Sequence, residues 1–153
     1  LRNRFGLSLH MQFYKTHELA EIIKDGRLKL DPSRNDDIHT TLHDPCNVIR
    51  GRGLHEKARY VVRQICENLV EMHPNREHNF CCGAGGGRMF LEDEEGGRIN
   101  EERTKEALET GANIIASACP FCMTMMTDGV KYYEKTDEVK VKDIAEIILE
   151  NSN

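Results

Sequence analysis

The stretch Ala112-Asn113-Ile114-Ile115-Ala116-Ser117-Ala118-Cys119-Pro120-Phe121-Cys122 decides how the rest of the chain is read. Ala112–Ala118 is mostly apolar and short, which predicts a small strand. Pro120 lacks an N–H and has its φ preset for a helix. It therefore suits a first helical turn, and a helix is expected over Pro120–Val130. Two cysteines thus sit where a strand hands over to a helix.

The same alternation appears on both sides. Upstream, Ile38–His43 predicts a strand. Glu56–Asn68 predicts an amphipathic helix, with Ala58, Val61, Val62, Ile65 and Leu69 at offsets 0, 3, 4, 7 and 11. Leu69–Met72 could instead be a short strand. Arg98–Thr110 reads as a polar helix closed by Gly111. Downstream, Val139–Val141 predicts a strand, and Asp143–Glu150 a helix burying Ile144, Ile147 and Ile148. Alternation of this kind predicts an α/β fold with a mostly parallel sheet and flanking helices, because parallel strands need crossover connections. In such sheets functional groups gather beyond the carboxyl ends of strands. Cys46 follows the strand ending at His43, and Cys119 and Cys122 follow the strand ending at Ala118. The cysteine-bearing loops are therefore expected at the strand C-terminal ends.

Residues 1–37 are expected to form an N-terminal arm with one helix. Thr16 caps that helix, Leu19, Ile22 and Ile23 form its apolar face, and Gly26 lies past its end at about Lys24. The polar, turn-rich run Asp31–Asp37 leads into a cysteine-rich domain over 38–153, the two making one globular unit. Leu1–His10 reads as the middle of a longer polypeptide.

The chain has 153 residues, of which 39% are apolar and 31% charged. That suits one folded domain with its own core. The net charge of −5 argues against a nucleic-acid partner, whose electrostatic footprint would be basic. No apolar run approaches the roughly 20 residues that span a bilayer, and no signal peptide opens the sequence. A cytoplasmic location is expected.

Six cysteines need an explanation. Five sit in loops beside Pro or Gly: Cys46, then after 34 residues Cys81-Cys82-Gly83, then after 36 residues Cys119-Pro120-Phe121-Cys122. Disulfides fit poorly. Nothing marks an oxidising compartment, and vicinal cysteines bridge each other only with strain. A structural zinc has suitable chemistry, with Cys119-x-x-Cys122 and His43-x-x-Cys46 as donors. It takes four ligands, though, and the set offers five thiols plus histidines. An iron–sulfur cluster accepts more thiolates, on loops punctuated by Gly and Pro. Gly83, Gly85, Gly86 and Gly87 would let backbone wrap a bulky inorganic core and point N–H groups at its sulfurs. Pro120 places Cys122 in a first helical turn, where amides and dipole favour a thiolate. Zinc stays open as the alternative, in a cysteine-rich interaction domain without redox activity.

The motifs Thr41-Leu42-His43-Asp44-Pro45-Cys46, Asn79-Phe80-Cys81-Cys82-Gly83-Ala84-Gly85-Gly86-Gly87 and Ala118-Cys119-Pro120-Phe121-Cys122 resemble the CCG cysteine-rich domain. That family occurs in the B and D subunits of heterodisulfide reductases and in related iron–sulfur subunits of glycolate, lactate, glycerol-3-phosphate and electron-transfer-flavoprotein oxidoreductases. The resemblance runs from about Thr16 to Ile148. It implies a [4Fe-4S] cluster, of the noncubane kind in heterodisulfide reductases, on Cys46, Cys81, Cys82, Cys119 and Cys122. It implies one part of a multi-centre oxidoreductase, passing electrons from a flavin or ferredoxin centre to a disulfide or quinone. The implied partners are ferredoxin-like, flavoprotein or membrane quinone-linked subunits, the last of which would bring the domain to the cytoplasmic face of the membrane. Family members often carry two CCG motifs and a ferredoxin-like domain; this sequence has one CCG motif.

Other features have plainer readings. Cys66 falls outside the motif, within the expected helix beside its apolar face, and reads as a small core thiol. His43 is either a donor to a cluster sulfur or a strand-end histidine bonded to backbone. Asp44 before Pro45 reads as a turn former. Arg50, Arg52 and Arg88 would raise the potential of an anionic cluster, or are solvated surface charge. Phe121, Met123, Met125 and Met126 read first as packing, and Glu92–Glu95 as a solvated loop. The glycines do not spell G-x-G-x-x-G, and no P-loop is present.

Overall fold

Strands β1 (His39–Leu42), β2 (Asn68–Val70), β3 (Ile114–Ser117) and β4 (Lys140–Asp143) form one parallel sheet in the order β2-β1-β3-β4. The structure is a computed structural model that describes residues 18, 20–26, 28, 30, 38–91 and 97–151. The expected Thr16 cap, Leu19, the Asp31–Asp37 run, Leu1–His10 and the Glu92–Glu95 loop lie outside the described residues.

The helices are α1 (Cys46–Ile49), α2 (His55–Arg63), α3 (Ile99–Glu109), α4 (Pro120–Tyr132) and α5 (Ile144–Asn151). The fold is α/β, with helices flanking an all-parallel sheet. Pro120 sits in the first turn of α4. Gly111, at φ +72°, takes the left-handed turn past α3 at little steric cost.

One expected helix is cut short. Periodicity makes Glu56–Asn68 one amphipathic unit, yet α2 stops at Arg63. Asn68, Leu69 and Val70 instead pair with His39, Thr40 and Thr41 of β1. A strand pairing outweighs the few tenths of a kcal/mol per residue that helix propensity supplies. Cys66 consequently lies beyond the helix, buried all the same.

Both faces of the sheet are covered, as parallel sheets require. On one face Ile114 and Ala116 of β3 pack with Ala58, Val61 and Val62 of α2 and Ile144, Ile147 and Ile148 of α5. Ala20 and Ile23, from the helical stretch 20–24, join this same cluster. On the other face Ile115 meets Ala107 of α3 and Met126 and Val130 of α4. Alternate residues of one strand thus feed two cores, and each large aliphatic side chain buried contributes about 1.5–3 kcal/mol. Gly129 lets α4 lie tightly on α3. A Cβ there would stand 2.0 Å from Thr104 Oγ1.

The strand order positions the site. From β1 the chain moves out to β2, returns across to β3, and moves out again to β4. The connections leaving β1 and β3 therefore diverge. Such a switch point opens a crevice beyond the strand ends.

Candidate metal centre

The chain leaving β1 runs His43-Asp44-Pro45-Cys46 into α1. Extended backbone at Pro45 (φ −69°, ψ 132°) sets that turn, and its carbonyl accepts from Val48 and Ile49. Asp44 is more than a turn former. It is fully buried and takes two hydrogen bonds of 2.8 Å from Arg59. Arg59 turns its other edge to Glu71, at 2.7 and 2.8 Å. Burial works against the Arg59 charge, but the two carboxylates more than offset it and raise its pKa. Asp44 Oδ2 also accepts the Arg76 backbone N–H at 2.7 Å. Its carbonyl accepts from the Asn79 amide, and the Asn79 carbonyl accepts from Arg50 at 2.5 Å. The Cys46 turn and the segment leading to Cys81 are thereby pinned to each other.

Three separate loops bring five thiols to one cavity of about 380 Å3, lined by Cys46, Cys81, Cys82, Cys119 and Cys122. Cys46 and Cys81 stand 3.8 Å apart, sulfur to sulfur. Cys82, Cys119 and Cys122 pack together as a buried cluster with Met125. Gly85, Gly86 and Gly87 form another wall. Gly86 (φ +66°) and Gly87 (φ +78°) are left-handed, a conformation that a side-chain-bearing residue adopts only at a cost. Gly83 is not part of the wall. It packs against Ile99, while its N–H reaches Cys81 Sγ at 3.3 Å. Phe90 lines the rim and is 78% exposed.

The thiols divide by electrostatics. The Cys82 thiol is pulled down to about 4, chiefly by a hydrogen bond from Cys122, with His43 and the Ala84 N–H adding to it. The Cys119 thiol falls to about 7, again through Cys122 first and then the N–H groups of Cys122 and Phe121. Cys122 is pushed well up, because its proton serves both neighbours and it is buried. Cys46 is pushed up to about 11, by burial first and then by Cys81 beside it. The amides at the start of α4 thus serve Cys119. The expectation that they favour a Cys122 thiolate is corrected, since Cys122 lies inside the turn as the shared donor. Cys66 stands apart, in the core, with burial raising its pKa.

His43 is fully buried. Its Nδ1 accepts Arg103 Nε at 3.2 Å, so its partner is a side chain of α3 and not the backbone. Its Nε2 has no hydrogen bond of good geometry. The ligating atoms of His43, Cys82 and Cys122 lie within 4.8 Å of one another.

Arg59 and Arg103, both fully buried, are not legible as site residues in the sequence. The one signal for Arg59 is a charge set beside the apolar stripe of its helix. Arg50 links two cysteine loops, as described; Arg52 and Arg88 are exposed. Met125 and Met126 are buried and Met123 half-buried, so they pack.

Residues 40–127 match the family model of the CCG cysteine-rich domain. The chain belongs to that family. Among curated proteins, the chain is 39% identical, over 91% of its length, to the probable iron-sulfur-binding oxidoreductase FadF of Bacillus subtilis. It is 38% identical, over 89% of its length, to the EtfAB:quinone oxidoreductase of Syntrophomonas wolfei. It is also 38% identical, over 88%, to the D subunit of the dihydromethanophenazine:CoB--CoM heterodisulfide reductase of Methanosarcina barkeri. The chain spans 20% of the first two proteins and 32% of the third. No helix among the described residues is long and apolar enough to cross a membrane.

Proposed function

We propose that this CCG domain is the iron–sulfur electron-transfer domain of a heterodisulfide-reductase-like oxidoreductase. Cys46, Cys81, Cys82, Cys119 and Cys122 would hold one [4Fe-4S] cluster, cubane or noncubane. The observation that carries this is the convergence of five thiols from three loops on one glycine-walled cavity. The donor set suits the group. Thiolates are the cluster's ligands, and two of the thiols already ionise readily. The space suits it too. A volume of about 380 Å3 far exceeds the ~30 Å3 share of one water, whereas a structural zinc sits in a closed shell of four ligands.

When bound, such a cluster supplies one-electron chemistry at a potential set by its surroundings. The chain's own residues do the rest. Asp44, Arg59, Asn79 and Arg50 fix the separation of the Cys46 and Cys81 loops. The N–H groups of Gly83, Ala84, Phe121 and Cys122 donate to thiolate sulfur and favour the more reduced state. Met125 and Phe121 keep water from the inner side. Gly85, Gly86 and Gly87 leave the outer side approachable, so a flavin- or ferredoxin-bearing unit can reach it. The acceptor would be a disulfide or a quinone, as the names of the relatives suggest. Other redox domains or partner subunits would supply those sites.

A second reading has a specific basis. His43, Cys82 and Cys122 are within reach of one ion, and Cys119 adjoins them, which would make a Cys3His zinc site. Single Cys→Ser substitutions in the anaerobically purified protein separate the two readings. For the cluster, each of the five removes or alters the visible iron–sulfur absorption. For zinc, replacing Cys46 or Cys81 leaves the metal in place, and that result would overturn the cluster reading.

A further inference from the structure

Arg103 belongs to a helix that carries no cysteine, yet it ends against the site. Its side chain is fully buried. Nη1 is anchored to Glu106 at 2.6 Å and to the Pro74 carbonyl at 2.9 Å. Nε is then directed at His43 Nδ1, 3.2 Å away. A guanidinium has donors only and no lone pair to offer. His43 Nδ1 must therefore be the nitrogen without a proton, and in the neutral ring the proton resides on Nε2. That Nε2 is buried and has no hydrogen bond of good geometry. A ring nitrogen of His43 and the Cys82 and Cys122 sulfurs lie within 4.8 Å of one another, and His43 is a hydrogen-bonding neighbour of Cys82. With Nδ1 engaged by Arg103, Nε2 is the nitrogen left to serve that sulfur.

We propose that Arg103 is a positioning residue for the metal centre, locking His43 in its Nε2–H tautomer so that the ring donates a hydrogen bond to the Cys82 sulfur. This rests on the cluster reading above for its redox consequence, though not for the tautomer. Donation to a ligating thiolate delocalises its charge. It stabilises the reduced form of the centre and so raises the potential. The Glu106–Arg103–His43–Cys82 chain carries this effect from α3, outside all three cysteine loops. Without Arg103, the ring is free to place its proton on Nδ1 and present a lone pair to sulfur, which repels.

The test uses the full-length protein, purified anaerobically, with two readouts. The first is the midpoint potential of the loaded centre in wild type, Arg103→Leu, Arg103→Lys, His43→Phe and the Arg103→Leu/His43→Phe double variant. Arg103→Leu and His43→Phe are each expected to change the reduced-to-oxidised ratio at fixed potential at least tenfold toward oxidised. For one electron that is a shift of about 59 mV. The double variant is expected to shift no further than His43→Phe alone, because Arg103 acts through the ring. Lysine keeps a donor and restores part of the shift. A merely structural arginine would lower iron content without moving the potential of the centres that remain, and that outcome, or additive shifts, overturns the proposal.

The second readout is the 15N shift pair of His43 in the metal-free protein, which does not depend on any cluster or on a variant that folds. Wild type is expected to show Nε2–H with an unprotonated Nδ1. A protonated Nδ1 overturns the proposal. If the anaerobically purified wild type contains no iron while the metal-free protein shows the Nε2–H tautomer, the cluster reading fails and the Arg103 lock stands.

Discussion

Arg59 meets Asp44 through two hydrogen bonds of 2.8 Å, with neither side chain exposed. The pair lies at the root of the Cys46 turn, two residues before the first motif cysteine. Taking one partner away leaves an uncompensated charge in the interior. Arg59→Leu or Asp44→Ala is therefore expected to cost about 3–5 kcal/mol of stability. Denaturant unfolding measures it. Iron uptake should fall in the same variants, because the Cys46 and Cys81 loops lose their common anchor. A loss below about 1 kcal/mol, the range of surface ion pairs, would show that the buried pair fixes nothing.

The thiol protonation pattern sets how metal binding depends on pH. Cys46 is pushed up to about 11 and Cys122 higher than a free thiol, so both hold protons in the metal-free fold at neutral pH. Ligation needs thiolates, and binding must expel those protons. Apparent affinity should accordingly rise with pH up to about 11 for the Cys46 step. Cys82, already ionised above about 4, adds no dependence near neutrality. Cobalt(II) titrations of the metal-free protein between about pH 6.5 and 8.5 should show a gain of about two decades per pH unit, one decade for each of the two protons released. A pH-independent affinity would contradict the ligand assignment of Cys46 and Cys122.

Cys66 offers the contrasting case. It sits in the aliphatic cluster beneath β1, and burial raises its pKa. Cys66→Ala should lower stability by about 1 kcal/mol, through a small cavity, and leave iron content unchanged. In the native protein it should resist alkylation, since the thiol form is unreactive and buried. Loss of the metal on this substitution would mean the motif reading omits a ligand.

Much of the fold is open to reading because the signals are local. The apolar run before Pro120 marks β3 and α4, and Gly111 marks the end of α3. The end of α2 is not, because Leu69 fits the helical stripe as well as it fits a strand, and only pairing with Thr40 decides. The cysteine positions are legible from spacing, and the cavity brings all five together. What spacing cannot show is which charges go inside. Asp44, Arg59 and Arg103 look like ordinary polar residues until partners distant in sequence meet them: Arg59 is 15 residues from Asp44, and Arg103 is 60 from His43. His43 carries two readings in the sequence, and its backbone-bonded one gives way to an arginine partner.

The contact of α3 with α4 can be probed at Gly129. An added Cβ would stand 2.0 Å from Thr104 Oγ1, 2.7 Å from Thr104 Cβ and 3.1 Å from the Asn100 carbonyl. Gly129→Ala is expected to destabilise by about 1–3 kcal/mol, as overpacking does. Adding Thr104→Ala should recover only part, because the Thr104 Cβ and the Asn100 backbone stay in place. Thermal unfolding of the single and double variants checks this. Full recovery would mean the helices separate more easily than their close packing suggests.

The most direct test of the metal centre is the elemental content of the protein prepared without oxygen. Iron, acid-labile sulfide and zinc are measured together, per chain. About four irons and four sulfides, with no stoichiometric zinc, is the expected result. A colourless protein carrying one zinc and no iron would contradict it.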